Sequence, residues 1–285
     1  MSLQNNLNNR LALLAVFAHP DDESLAMGGT LARYARAGVE VSLVCATRGE
    51  WGSISDPALA TRENLAEVRE DELRAACQVL GISQLHFLDC PDSDVNHTDW
   101  PEVEEKIVRH IRKLRPDVVV TFGPDGLYGH PDHIAVSTLA TAAFNSASDA
   151  SRYTEQLEQG LQPHRASKLY YAQFPQTLAA ELIASLSVEH ESPQIWGFDA
   201  DSFGVPEELI TTRVDVGDEV LKKLQALRCH RTQLEADNVF ALIDGQTALR
   251  FLSREYFRLV EPETICGVIE DDLFDNVGSN QLVNV

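Results

Sequence analysis

Apolar residues in the first half of the chain follow two alternating rhythms. Short runs dominated by apolar residues, Leu11–Ala18, Val39–Ala46, Leu85–Leu88 and Asp117–Phe122, have the length and continuity of strands buried on both faces. Between them the spacing changes to that of one helix face. Helices are predicted over about Ser24–Ala37 (Met27, Leu31 and Tyr34 on one side, Gly38 as stop), Thr61–Leu80 (ended by Gly81), Pro101–Leu114 and Pro131–Phe144. Pro101 stands where a first helical position tolerates it. Thr47–Leu59, Asp89–Asp99 and Gly123–Gly129 read as polar loops. Strands alternating with helices imply right-handed βαβ units, hence an α/β fold with a mainly parallel sheet and helices on both faces.

The second half is less regular. Lys168–Phe174 and Leu209–Val214 are predicted strands, and Asp218–Arg231 a helix with Val220, Leu221, Leu224 and Leu227 on one side. The stretch after Gly267, with Glu270-Asp271-Asp272, reads as a loosely held acidic tail. No linker composition forces a domain cut. The expectation is therefore one domain over 1–285: a core at about 11–175, a less regular C-terminal part at about 176–265 that shapes a substrate pocket, and a tail at 267–285.

Composition narrows the choice of partners. With 23 Lys and Arg against 44 Asp and Glu, the net charge is −21, which repels phosphate backbones and anionic lipid. No apolar stretch approaches the about 20 residues of a membrane span, and Met1–Arg10 lacks the apolar core of a signal peptide. These features predict a cytoplasmic protein without nucleic-acid or stable membrane partners, and they leave a homo-oligomer open. Cys45, Cys77, Cys90, Cys229 and Cys266 form no C-x-x-C pair and read as reduced structural thiols.

The candidate chemistry lies in a device that occurs twice where a strand gives way to a helix: His19-Pro20-Asp21-Asp22-Glu23 and His130-Pro131-Asp132-His133. A residue before proline is held extended, so each leading histidine sits just outside its helix, with the acids in the first turn. An acidic helix start explains the carboxylates alone, but not the histidines beside them. If both turns leave the same edge of the sheet, His19, Asp22 and His133 converge on one cation. Two imidazoles and one carboxylate leave coordination positions open, as in a catalytic site. Asp21 is placed to take a proton, His130 to donate to an oxyanion or a departing amine, and Asp132 to orient an imidazole. His86, His97, His110, His164 and His190 read as structural. The same donor set describes an Fe(II) oxygenase triad, although the extra base argues against it. A non-catalytic nucleotide-binding α/β module is disfavoured, because no G-x-G-x-x-G follows the first strand and Met27-Gly28-Gly29 sits inside a helix.

The segments Ala18-His-Pro-Asp-Asp-Glu23, Gly28-Gly-Thr-Leu31, Ala46-Thr-Arg-Gly-Glu50, Arg69-Glu-Asp-Glu72, Tyr128-Gly-His-Pro-Asp-His133 and His230-Arg-Thr-Gln233 together resemble the LmbE-like, or PIG-L, family of zinc-dependent de-N-acetylases. The resemblance runs from about residue 11 to 260 and implies a Rossmann-like core. Many members have Ser where this chain has Thr232. The family pattern implies Zn2+ on His19, Asp22 and His133, one per chain, with Fe2+ as a possible occupant of the same site. It implies Asp21 as general base, His130 as stabiliser or acid with Asp132 in support, and Tyr128 as a mobile residue reaching the substrate carbonyl. Arg48, Glu50 and His230 would line the substrate side. Arg69 and Glu70 equally fit a solvated helix face. The function so implied is hydrolysis of an N-acyl group, expected to be acetyl, from an N-acetylglucosamine-type conjugate. Amide cleavage of a thiol S-conjugate is the alternative.

Overall fold

A computed structural model describes residues 10–186, 204–236, 238–263 and 269–277. Residues 1–9, His190, Cys266 and tail residues 278–285 lie outside that description. Five parallel strands form the core of a seven-stranded sheet: β1 (Ala12–Phe17), β2 (Glu40–Cys45), β3 (Gln84–Phe87), β4 (Val118–Phe122) and β5 (Lys168–Gln173). The spatial order is β3-β2-β1-β4-β5-β7-β6, with β6 (Thr212–Asp215) and β7 (Arg254–Glu261) antiparallel at the far edge. The α/β expectation therefore holds, and the C-terminal part extends the same sheet.

Helices α1 (Asp22–Arg36) and α2 (Leu65–Leu80) pack together, and α3 (Trp100–Leu114) packs against α5 (Pro131–Ser146). A short turn, α4 (Gly126–Gly129), precedes α5, while α6 (Thr154–Glu158) and α7 (Gln176–Leu186) flank β5. The continuous apolar runs are explained by burial on both faces: every side chain of β4 and all but the first of β1 and β2 are buried. The chain leaves β1 toward β2 and β3, then crosses back to β4 on the other side of β1. This reversal opens a crevice beyond the carboxyl ends of β1 and β4, where open α/β sheets hold ligands. Both His-Pro-Asp turns begin there.

The predicted Asp218–Arg231 helix is shorter than expected, with α8 covering Val220–Leu227. The tail expectation is corrected over the described residues. Glu270 pairs with Lys168 at 2.8 Å and accepts from Tyr170 at 2.6 Å, Asp272 accepts from Tyr34 at 2.8 Å, and Leu273 is buried in the core. Of the histidines read as structural, His164 Nε2 donates to the Pro116 carbonyl oxygen at 2.7 Å, and His86 packs on the His110 ring.

Helix α1 is kinked at Met27 (φ −153°), and the kink shows what the C-terminal part contributes. The Gly29 and Thr30 N–H groups leave the helical ladder and donate to Glu255 of β7, at 2.9 and 2.6 Å. The Leu25 carbonyl released by the same break accepts from Lys223 of α8 at 2.9 Å, and Lys223 pairs with Glu255 at 2.6 Å. A Cβ on Gly29 would stand 2.7 Å from Val216, so only glycine admits this approach. The first turn of α1, carrying Asp22 and Glu23, is thus aimed by a buried ion pair. Lys223→Met is expected to cost about 3–5 kcal/mol, because it leaves Glu255 buried without its cation. Denaturant unfolding measures this, and a loss below about 1 kcal/mol would contradict the role.

Candidate active site

His19 follows β1 and His133 opens α5 after β4, so adjacent strands deliver both rings to one point. His133 Nδ1 lies 3.1 Å from the Gly126 carbonyl oxygen and must donate to it, which leaves Nε2 with a lone pair. His19 Nε2 lies 3.1 Å from Asp92 and 3.2 Å from Asp132 carboxylate oxygens, so in the neutral ring it carries the proton and Nδ1 is the acceptor. These two acceptors face each other at 3.1 Å. Asp22 completes the triangle, with Oδ1 3.2 Å from His133 Nε2 and Oδ2 3.6 Å from His19 Nδ1. Three converging acceptors repel one another unless a positive charge lies between them. Ligand atoms around a tetrahedral cation at about 2.0–2.1 Å stand about 3.3 Å apart, so the donor set fits such an ion.

The electrostatics make His133 and Asp22 ligand-ready, while the carboxylates around His19 draw onto it a second proton that a cation would displace. Burial lowers the His133 pKa to about 3 and keeps the ring neutral. Burial alone would raise Asp22, but the His133 and His19 imidazoles and the His19 N–H hold it at about 2. His19 is pushed up: Asp132, Asp22 and Asp92 more than offset the opposing effect of burial. His130 also brings a ring nitrogen within 4.8 Å of those of His19 and His133, but its Nδ1 already accepts from the Asp132 N–H at 3.2 Å. The His19–Asp92–Asp132 cluster is a grip on His19, since Asp92 also accepts from the Trp51 N–H and Asp132 from the Ser93 and Val95 N–H groups. Asp132 therefore orients an imidazole, as its residue type suggested, but that of His19 and not the His130 ring that the family resemblance implied.

Asp21 lies beside this triangle with φ +125°, a positive value that costs a non-glycine residue about 1–3 kcal/mol. Its N–H donates to Glu23 at 3.1 Å, and Glu23 in turn lies 3.0 Å from His230 Nε2. Burial pushes the Asp21 carboxyl up to about 7, against the pull of Arg69. Arg69 is 3% exposed, which corrects the solvated-face reading. It donates to Asp21 Oδ2 at 3.1 Å, the Pro20 carbonyl at 2.6 Å and the Gly49 carbonyl at 3.0 Å. A Cβ on Gly49, which has positive φ, would overlap that guanidinium. Glu70 does point away, to Arg48 and Arg74.

The cleft, about 280 Å³, is lined by His19, Asp21, Asp22, Arg69, Tyr128 and His130, together with Leu25, Trp51, Gly52, Ser53, Asp92, Ser93 and Gln233. The Tyr128 ring lies 5.0 Å from His133 and 6.2 Å from His130. Arg48, Glu50 and His230 do not line it. Arg48 pairs with Glu70 and Asp89, and Glu50 accepts from the Asp92 N–H at 3.0 Å, so both brace the wall. His230, 1% exposed, sits behind the cleft, where Glu23 overcomes the effect of burial and raises its pKa. Asp92, Trp51 and Gln233 had not been expected at the site. For Asp92 a signal existed: Cys90-Pro91-Asp92 follows β3 at the same sheet edge.

Comparison with known proteins adds identity to this geometry. The GlcNAc-PI de-N-acetylase (PIG-L) family model matches residues 14–144. A 1D-myo-inositol 2-acetamido-2-deoxy-alpha-D-glucopyranoside deacetylase of Streptomyces avermitilis is 36% identical over 289 residues, 93% of this chain and 97% of its own. Deacetylase 2 of the same description from Catenulispora acidiphila is 34% identical, covering 92% of this chain and 96% of its own. Among solved structures, the N,N'-diacetylchitobiose deacetylase of Pyrococcus horikoshii superimposes with a TM-score of 0.67 at 25% identity, over 91% of this chain and 87% of that one. These matches do not favour the thiol S-conjugate amidase, the Fe(II) oxygenase or the binding module. The chain belongs to the PIG-L family of metal-dependent de-N-acetylases, and it is an N-deacetylase.

Proposed function

We propose that this enzyme removes the acetyl group from an N-acetylglucosamine joined to a cyclitol or a second sugar, with Zn2+ held by His19, Asp22 and His133. The observation that carries this reading is the convergence of three side chains, two imidazoles and a carboxylate with contacts of 3.1–3.6 Å, beside a buried carboxylate of raised pKa. When bound, the cation supplies Lewis acidity toward the amide carbonyl and toward water. Asp21, steadied by Arg69, takes a proton from the attacking water. His130 is kept neutral by burial and by His19. Its Nδ1 is occupied as an acceptor, so its Nε2–H is the donor for the developing oxyanion. The carbon–nitrogen bond then breaks, the amine leaves with the proton gained from water, and acetate remains. Tyr128 on the cleft wall is in reach of the same carbonyl.

The relatives act on an inositol-linked N-acetylglucosamine and on diacetylchitobiose by their descriptions, which supports the substrate class. Among the described residues no helix is long and apolar enough to cross a membrane. The test is acetate release from a panel of N-acetylglucosamine conjugates: inositol, malate, chito-oligomer and thiol S-conjugates. Turnover is expected with inositol or chito-oligomer. A metal-loaded protein that releases acetate from none of the panel would sink the substrate class.

A further inference from the structure

Trp51 is 65% exposed, yet it lines the cleft whose floor holds His19, Asp21 and Asp22. Its position is built, although its ring is not buried. The Trp51 N–H donates to Asp92 Oδ2 at 2.7 Å, and Asp92 Oδ1 lies 3.1 Å from His19 Nε2, so the backbone is tied to the catalytic floor. The Arg62 guanidinium lies 5.6 Å from the centre of the indole and is itself locked, donating to the carbonyls of Glu50 at 2.6 Å and Gly52 at 3.1 Å. Further along, the loop is pinned by Gln233 Nε2 on the Ser53 carbonyl at 2.9 Å and by the Ser55 N–H on the Thr232 carbonyl at 2.9 Å. A large apolar ring is therefore held in water, buttressed by a cation, at the mouth of a cleft whose floor is otherwise charged.

The ring must meet a ligand with a matching apolar face. Saturated polyhydroxylated rings carry their hydroxyls around the edge and a patch of C–H groups on the face, which stacks on an aromatic surface that is positive-edged and electron-rich on its face. With the N-acetyl group over His19, Asp21 and Asp22 on the floor, as the proposed reaction requires, the ring attached to the amino sugar would be what reaches the rim. We propose that Trp51 is the stacking platform for that second ring, a cyclitol or a sugar, and so sets the preference for conjugates over free N-acetylglucosamine. This rests on the substrate class proposed above.

Calorimetric titration of the holoenzyme with the deacetylated products tests the platform without requiring turnover. Glucosaminyl-inositol and the glucosamine disaccharide each carry a second ring, whereas glucosamine has none. Trp51→Ala should raise the Kd of two-ring ligands about tenfold and leave glucosamine within about twofold, and Trp51→Phe should return it to within about threefold of wild type. A loss confined to glucosaminyl-inositol identifies a cyclitol platform, and a loss for both identifies a general one. Equal losses for glucosamine and the two-ring ligands, or no loss, overturn the proposal. Acetate release by the wild type from the acetylated forms reports separately on the reaction: binding that depends on Trp51 without turnover keeps the platform and removes the reaction.

Discussion

Asp21→Asn is expected to lower kcat by about 10²–10⁴-fold with the fold and the cation content unchanged. Asn is isosteric, tolerates positive φ better than most residues, and keeps an oxygen for Arg69. What it loses is the ability to accept the water proton. A general base works only when deprotonated, so kcat/KM of the wild type should rise with pH through the Asp21 pKa. Burial pushes that pKa up to about 7, and a cation bound next to it would draw it down, so the limb falls at or below 7. In Asp21→Asn this limb should disappear from the pH–rate profile. A variant retaining more than about a tenth of wild-type kcat, or an unchanged acid limb, would remove Asp21 from the base position.

Asp22→Asn should fail differently. Its oxygens face both imidazoles and accept the His19 backbone N–H at 2.7 Å, so the amide preserves the shape but removes the only negative charge in the ligand triangle. Cation affinity is expected to fall by about two orders of magnitude or more, with activity lost at stoichiometric metal and partly recovered in excess metal. Metal analysis after dialysis and a metal titration of the rate measure this. Rescue by excess cation separates Asp22 from Asp21, whose variant stays inactive at any metal concentration. Full metal retention in Asp22→Asn would rule out its place among the ligands.

The parallel core was legible because burial on both faces leaves unbroken apolar runs, and both turns could be placed because proline marks the strand-to-helix step. The antiparallel strand β7 was hidden: Glu255, Phe257 and Leu259 are its buried residues, so a carboxylate occupies an inward position and disguises the alternation. Arg69 was hidden by its neighbours. In Arg69-Glu70-Asp71-Glu72 only the helix phase decides that Arg69 turns inward, and a run of charges reads as a wet face. Asp132 was assigned to the wrong imidazole because its partners, Ser93, Val95 and His19, come from elsewhere in the chain. The packing of Leu273 depends in the same way on contacts that no local pattern carries.

On the proposed function, deacetylation of an amino-sugar conjugate requires one cation held by His19, Asp22 and His133. The rate of acetate release from N-acetylglucosaminyl-inositol by protein stripped with a chelator and titrated with Zn2+ measures that requirement. The rate should start near zero and rise to a plateau at one equivalent per chain. A rate indifferent to stripping, or no acetate at one bound equivalent, would contradict it.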